Sequence, residues 1–527
     1  MDAASALRAP AGGIRLSRRI TPLGLIAGLT LLALAFRLTD LGARPLWLDE
    51  AFSKWFSGQG WHYLWTVVPT YEAHPPFYYS LLKLWRGMFG DQAVALRALS
   101  ALLGTLTIPV IMAAAWEQER QSASGRPLLR AGIAAFLVAC SPLLIVVGQE
   151  ARPYPLLAFA YALAILGMLR LMREFAALGP GSLLSWALLG IGTALTLWAH
   201  FLGLLYGACL ALAFAPAWLK APLNRVRILR GVAVASAILL AYVPCLIMIA
   251  SRAHDWGTNW LKWEPGILPF RLLALYSVPV EMLNVGSAVA ALAMLLLAKR
   301  AVVAAFAVRG WSANRAVILL WLGPPLLAAV ISATFIPIFL PRTLAGTLVP
   351  AYLAVAAGLA WTPSARERMF LAAAICITLL PTALQTSLRQ PAERWNDLAA
   401  YLSRNVSAGD QIWLYPSDSA LPLDAAEPRI GAQVRALPAP FPTLGVKGPI
   451  RAGWPAMVSL TREQAAALAT DPALRRVPTV WLVTRQIDIF DPDRDMAKAL
   501  SRVRNPGNVQ EWGYIAAQPF YARPSDR

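Results

Sequence analysis

Residues 46–55 read LWLDEAFSKW, directly after the first long apolar run of the chain, near 20–38. Asp49 and Glu50 therefore stand where a membrane helix leaves the bilayer, flanked by Trp47 and Trp55. An ionisable pair at that depth needs a partner or a chemical task. The plain alternative is N-capping of a surface helix, whose first-turn amides favour acids. The rest of the chain decides between them.

Of 527 residues, 58% are hydrophobic and only 14% charged, with 20 Trp and 14 Tyr. The mean hydropathy is +0.54. Soluble domains are about half apolar, so the composition indicates a polytopic membrane protein with many interfacial aromatics. Apolar stretches near 20–38, 96–116, 131–148, 154–171, 183–199, 201–218, 231–250, 281–298, 315–333, 343–360 and 369–386 are each long enough to span, at roughly twenty residues apiece. The expected fold is thus a polytopic α-helical membrane protein of about 11 transmembrane helices. Arg15, Arg18 and Arg19 precede the first run, which reads as a retained helix rather than a cleaved signal.

The net charge of +19 raises the question of nucleic acid, and its distribution answers no. Residues 1–386 carry 30 Lys+Arg against 14 Asp+Glu, and the remainder 17 against 14. With the N-terminus inside, 19 of those 30 bases fall in cytoplasmic segments such as RVRILR (225–230), as the positive-inside rule expects. Nine of the 14 acids fall outside instead. The four cysteines all lie in apolar runs without metal-ligand spacing and read as small core residues.

Residues 387–527 change character. An amphipathic helical stretch opens them, a turn follows at 407–410, and strand-like runs QIWLYP and PTVWLVTRQ bracket the helical TREQAAALATD. A last strand-like segment, VQEWGYIAAQPFYAR, ends the chain. Strands alternating with helices predict a small α/β domain, placed in the periplasm by the odd helix count. The Pro-rich ALPAPFPTLGVKGP (436–449) reads as a long loop inside it.

Chemistry concentrates in the outer connections. Loop 39–95 holds LDE, then YEAHPPFYY with Glu72 and His74, which prolines 75 and 76 should fix in an extended turn. Its QGWHYLW segment reads as a short surface helix. GQEARPY (148–154) sets Glu150, Arg152 and Tyr154 between two helices, and His200, Lys262 and Arg342 lie in further outer segments. Each has an ordinary reading: a structural ion pair for Glu150 and Arg152, packing for His200, snorkelling for Lys262. Their convergence on one face is the stronger signal. A carboxylate there can take a proton from an attacking hydroxyl, and cations can hold a departing phosphate.

In chain order these pieces are Arg37 late in the first helix, LWLDEAF, EAHPPFYYSLL, QEARPYPLL, AHFLGLLY and FLPRTL, closing with W-x-x-L-A-x-Y-L…G-D. The chain resembles the bacterial polyprenyl-phosphate-sugar glycosyltransferases related to protein O-mannosyltransferases and aminoarabinose transferases, with the GT-C architecture. That resemblance implies a multi-pass enzyme of the bacterial inner membrane. It would take a monosaccharide from a polyprenyl-phosphate donor and pass it to a lipid, glycan or protein acceptor. It implies Asp49 as general base, with Glu50 orienting acceptor or sugar. His74, Arg37, Arg152 and Arg342 would face the donor phosphate or lipid, and Glu72, Glu150, Tyr154, His200 and Lys262 the substrates. The chain departs from the pattern at His74, where related transferases often have Lys, and at Arg342-Thr343, where they often have Arg-Tyr. No cofactor is expected. A divalent ion at Asp49–Glu50 is the alternative, disfavoured because no third acid is fixed nearby in sequence. An O-antigen polymerase or ligase would share the donor type but mostly lacks the early acid pair. A flippase or transporter favours midplane sites and broken helices.

Overall fold

The computed structural model describes residues 21–72, 74–122, 124–252, 263–276, 285–426, 430–451 and 456–523, and each of the eleven apolar stretches is helical over most of its described length. Lys262 lies outside the described residues. The membrane part runs α1 (Pro22–Leu38), α2 (Leu48–Gly58), α3 (Trp61–Thr66), α4 (Phe77–Phe89), α5 (Ala93–Ser122), α6 (Pro127–Cys140), α7 (Pro142–Gly148) and α8 (Tyr154–Ala176). It continues through α9 (Leu183–Ala199), α10 (Gly203–Lys220), α11 (Arg225–Arg252), α12 (Leu268–Tyr276), α13 (Val285–Ala307), α14 (Ala313–Thr334), α15 (Leu348–Trp361) and α16 (Ala365–Ser387). Among the described residues, eight helical spans are long and apolar enough to cross a membrane; α6 and α7, bent by 57°, make a ninth. The apolar helices α1 and α9 are 17 residues each. The chain is a multi-pass membrane protein.

Local chemistry fixes these ends. Ser182, Ser312 and Ser364 accept first-turn amides of α9, α14 and α16, covering donors that have no intrahelical partner. Small residues set the closest packing. A Cβ on Gly192 would lie 2.4 Å from the Ala164 nitrogen, and one on Gly358 2.0 Å from the Leu297 carbonyl oxygen. The joint between α9 and α10 is real but tight: His200 is extended, and a Cβ at Gly203 would meet the Thr196 carbonyl at 2.3 Å.

Arg37 departs from its expected role. It is fully buried among helices, where its guanidinium donates to the Ala33, Val138 and Ala139 carbonyls at 3.1–3.5 Å. Pro142, just past the α6–α7 bend, has no N–H to offer Val138, and Arg37 covers that carbonyl. Arg37 closes a helix break and does not reach the outer cluster.

Loop 39–95 folds into α2, α3, a 3₁₀ turn (Val68–Thr70) and α4. Pro76 takes helical dihedrals as the N-cap of α4, so this turn is not the extended one anticipated from Pro75-Pro76. Beyond α16 the tail is α17 (Trp395–Asn405), β1 (Gln411–Tyr415), α18 (Ala420–Ala425), β2 (Gln433–Ala436), α19 (Arg462–Ala469), β3 (Thr479–Arg485), α20 (Ile487–Phe490), α21 (Asp495–Val503), β4 (Asn505–Pro506), β5 (Gln510–Glu511) and β6 (Ile515–Tyr521). The sheet order is β2-β1-β3-β6-β4, with β5 also on β6. The first three strands are parallel and β6 runs antiparallel to β3. Alternation sends Trp413, Val480 and Leu482 toward α19 and α21, and Ile412, Leu414 and Val483 toward α17. The sheet is thus covered on both faces. The short β2 and the amphipathic α21, which buries Met496, Ala499 and Leu500, are additions to the sequence reading.

The tail is docked rather than tethered. Met457 and Phe490 join the same apolar core as the membrane helices. Phe441, in the Pro-rich loop, packs on Phe52 and Trp55 of α2 at ring distances of 5.0 and 5.3 Å.

Candidate active site

The stretch LWLDEAFSKW forms the start of α2, and its two acids turn to different partners. The Leu48 amide, a helix-terminal donor, is taken by Glu393 of the tail at 3.2 Å. Glu393 also accepts from Trp395 Nε1 (2.9 Å) and Arg485 Nε (2.7 Å). One buried tail carboxylate therefore anchors the helix that carries Asp49.

Glu50 is completely buried. Its oxygens receive Arg97 Nε and Nη2 at 2.7 and 2.6 Å, and the Ala151 amide at 2.9 Å. This bidentate pairing ties α2 to α5 and to the turn holding Arg152. It occupies both oxygens, so Glu50 does not present a free carboxylate to acceptor or sugar as the resemblance suggested.

Asp49 faces the other way. Its Oδ2 lies 3.8 Å from Arg152 Nη2 and 3.4 Å from Arg342 Nη2. Arg152 also donates to the Asp49 carbonyl (3.2 Å) and to Tyr79 Oη (3.4 Å). Burial pushes the Asp49 carboxyl up, but Arg152, Arg342, Arg485 and His74 outweigh it and hold it below the ordinary range. Arg342 stacks over Trp47 at 5.5 Å.

A cavity of about 260 Å³ opens on this group, lined by Asp49, His74, Arg152 and Arg342 with Trp47, Arg485 and Gln486. His74 points Nδ1 at Glu72, whose Oε1 also receives the His74 amide at 3.0 Å. The His74 Nε2 is buried without a hydrogen-bond partner among the described residues. The His200 ring meets His74 edge-on at 4.7 Å, with Tyr154 6.0 Å away. His200 Nδ1 accepts from the Leu202 amide (3.0 Å), so a neutral ring carries its proton on Nε2. Burial, then the His74 and arginine charges, hold its pKa well below the ordinary value.

On the far side of Trp47 and Arg342 lies a second cavity of about 420 Å³. Glu150 lines it, 3.7 Å from Arg389 Nη2. Burial, only partly offset by Arg389, pushes the Glu150 carboxyl up to about 7. Glu150 and Arg152, neighbours in sequence, thus serve different cavities. Asp49, Glu72, His74, Arg152, Tyr154, His200 and Arg342 are brought together; Arg37 is not.

Sequence reading missed Arg44, Arg389, Arg485, Gln486 and Glu393. Gln486 lines both cavities from a left-handed backbone, φ +43°, which for a non-glycine residue costs roughly 1–2 kcal/mol. QPAERW, bridging the last span and the tail, was the available signal for Glu393. Nothing in the linear pattern pointed to Arg44 or Arg485.

No protein-family model and no curated protein matches the chain. Among solved structures, ArnT from Cupriavidus metallidurans in the apo state aligns with a TM-score of 0.58 at 13% identity, covering 94% of this chain and 98% of ArnT. ArnT bound to undecaprenyl phosphate gives 0.56 at 12% identity, covering 95% and 98%. The Archaeoglobus fulgidus oligosaccharyltransferase tethered with an acceptor peptide gives 0.54 at 12% identity, covering 97% of this chain and 75% of that one. From the membrane helices through the sheet of the tail, the chain has the GT-C fold of these glycosyltransferases.

Proposed function

We propose that the chain is an inverting glycosyltransferase. It moves a monosaccharide from a polyprenyl-phosphate donor to an acceptor hydroxyl on a lipid, glycan or protein, at the periplasmic face of a bacterial plasma membrane. The observation that carries this reading is the Asp49 carboxylate, ion-paired with Arg152 and Arg342 at the wall of one cavity that His74 also lines, its Nε2 without a hydrogen-bond partner among the described residues.

Asp49 accepts the hydroxyl proton as the acceptor oxygen attacks the anomeric carbon. The bond from that carbon to the phosphate oxygen breaks, and its electron pair leaves with polyprenyl phosphate. Arg152 and Arg342 hold the charge that develops there, so no general acid is required. His74, held through Nδ1 by Glu72, brings its Nε2 to the same group. Glu50 acts by position, fixing α2 against Arg97. No metal enters this scheme, because Glu50 is committed to Arg97 and the Ala151 amide.

The test is incubation of the purified protein with polyprenyl-phosphate sugars and membrane extract. Products are followed by mass spectrometry, and anomeric configuration by NMR. Release of polyprenyl phosphate with an inverted glycosidic product is expected; a retained anomer, or no sugar transfer from any such donor, overturns the reading.

A further inference from the structure

The second cavity is not accounted for by donor binding. Its wall includes Arg44, Arg342, Arg389 and Arg485 facing Glu150, with the Glu50–Arg97 pair behind. Two of these positive charges are balanced locally: Arg97 by Glu50 and Arg485 by Glu393. Arg342 leans on Asp49 in the neighbouring cavity. That leaves Arg44 and Arg389 opposite a single acid.

Both guanidiniums converge on one neutral oxygen. Arg44 Nη2 and Arg389 Nη1 donate to Gln149 Oε1 at 2.9 and 2.5 Å. Arg44 is more than nine-tenths buried, yet its Nη1 has no hydrogen-bond partner among the described residues. A buried cation with an unspent donor at a cavity wall is costly unless an anion completes it. Gln149 is itself fixed by donating to the Phe36 and Thr39 carbonyls at 3.0 and 2.8 Å, so its oxygen stays aimed at the two arginines. The Glu150 carboxyl near 7 leaves the wall with a net positive charge around neutrality.

We propose that this cavity is an oxyanion subsite for the acceptor: Arg44 and Arg389 receive a phosphate or carboxylate carried by the acceptor molecule, on the opposite side of Trp47 and Arg342 from the donor phosphate. The inference rests on the transferase reading for the word acceptor, but the anion site itself does not. The two cationic cavities share Trp47 and Arg342, and Asp49 lines the smaller, so that one can hold the leaving phosphate while the other orients the molecule that brings the hydroxyl. The acceptor class selected is therefore an acidic one.

The test uses full-length protein in detergent, titrated with inorganic phosphate by calorimetry. Saturable binding is expected in the wild type. Arg44→Gln and Arg389→Gln should each weaken it by about tenfold or more, the loss of one charge-assisted contact. Glu150→Gln, which removes the opposing acid and its pairing with Arg389 but leaves both arginine hydrogen bonds to Gln149, should tighten it. Undecaprenyl phosphate affinity in nanodiscs should stay near wild type in both arginine variants. Absent phosphate binding, unchanged affinity in both arginine variants, or weaker binding in Glu150→Gln overturns the subsite. Weaker undecaprenyl phosphate binding in either arginine variant overturns it too, by placing these arginines in the donor site. Phosphate binding without sugar transfer from any donor leaves the anion site standing and sinks the transferase reading instead.

Discussion

Asp49 carries a tension. The arginines that keep it ionised also lower its basicity, and the free carboxylate is a poor proton acceptor. A donor phosphate arriving between Arg152 and Arg342 offsets their charge, so the carboxylate becomes more basic when there is a hydroxyl to deprotonate. The acid limb should therefore lie below the ordinary carboxylate range in kcat/KM, which reports free enzyme. In kcat, which reports the bound complex, it should lie higher. Activity is lost as pH falls through each limb, because the protonated acid cannot accept. Coincident limbs in the two profiles would remove the coupling. Glu50 makes the contrast: Glu50→Gln strips a buried arginine of its counter-charge, and breaking such a pair costs about 3–5 kcal/mol. Its thermal midpoint in detergent should drop clearly, whereas that of Asp49→Asn should stay within a few degrees. The reverse order would exchange the roles given to the two acids.

The element that matters most is α2. Its acids, tryptophans and position after the first span were legible because charge at bilayer depth is rare and therefore informative. The anchor of α2 was not legible, since Glu393 lies 345 residues beyond Leu48 and meets it only when the tail docks. Sequence pattern likewise brought out His74 in the long loop 39–95, and Arg152, Tyr154, His200 and Arg342 at short connections. Arg37 misled for a physical reason: an arginine in an apolar helix reads as functional, yet a proline-broken neighbour can use it as a carbonyl cap. The prolines before α4 misled similarly, because Pro76 suits a helix start as well as an extended turn. For the anchor, Glu393→Gln is expected to lower kcat about tenfold or more while undecaprenyl phosphate affinity stays near wild type. Hydrogen exchange at the first α2 amides should rise in parallel. Unchanged kcat with unprotected amides would show that Asp49 needs no such support.

At the scale of the molecule, hydropathy predicted the bundle because a bilayer accepts few alternatives to helices, and alternating strands predicted the tail sheet. The mutual arrangement was beyond it. The tail contributes Arg485, Gln486 and Met457 to the cavity around Asp49, and no periodicity encodes that docking. The sidedness read from the basic loops has its own test. A cysteine at the exposed Asp488 of the tail should react in intact cells with a membrane-impermeant maleimide, and one at Arg309 between α13 and α14 should not. The opposite labelling would put the site on the cytosolic face and end the proposed use of a periplasmic donor.

Everything in the proposed chemistry passes through one carboxylate. Single-turnover sugar transfer by Asp49→Asn, with donor binding measured on the same preparation, tests it most directly. A fall of about 10²–10⁴-fold in the transfer rate with undecaprenyl phosphate still bound is the expected result. Near-normal transfer by that variant would show that another group takes the proton.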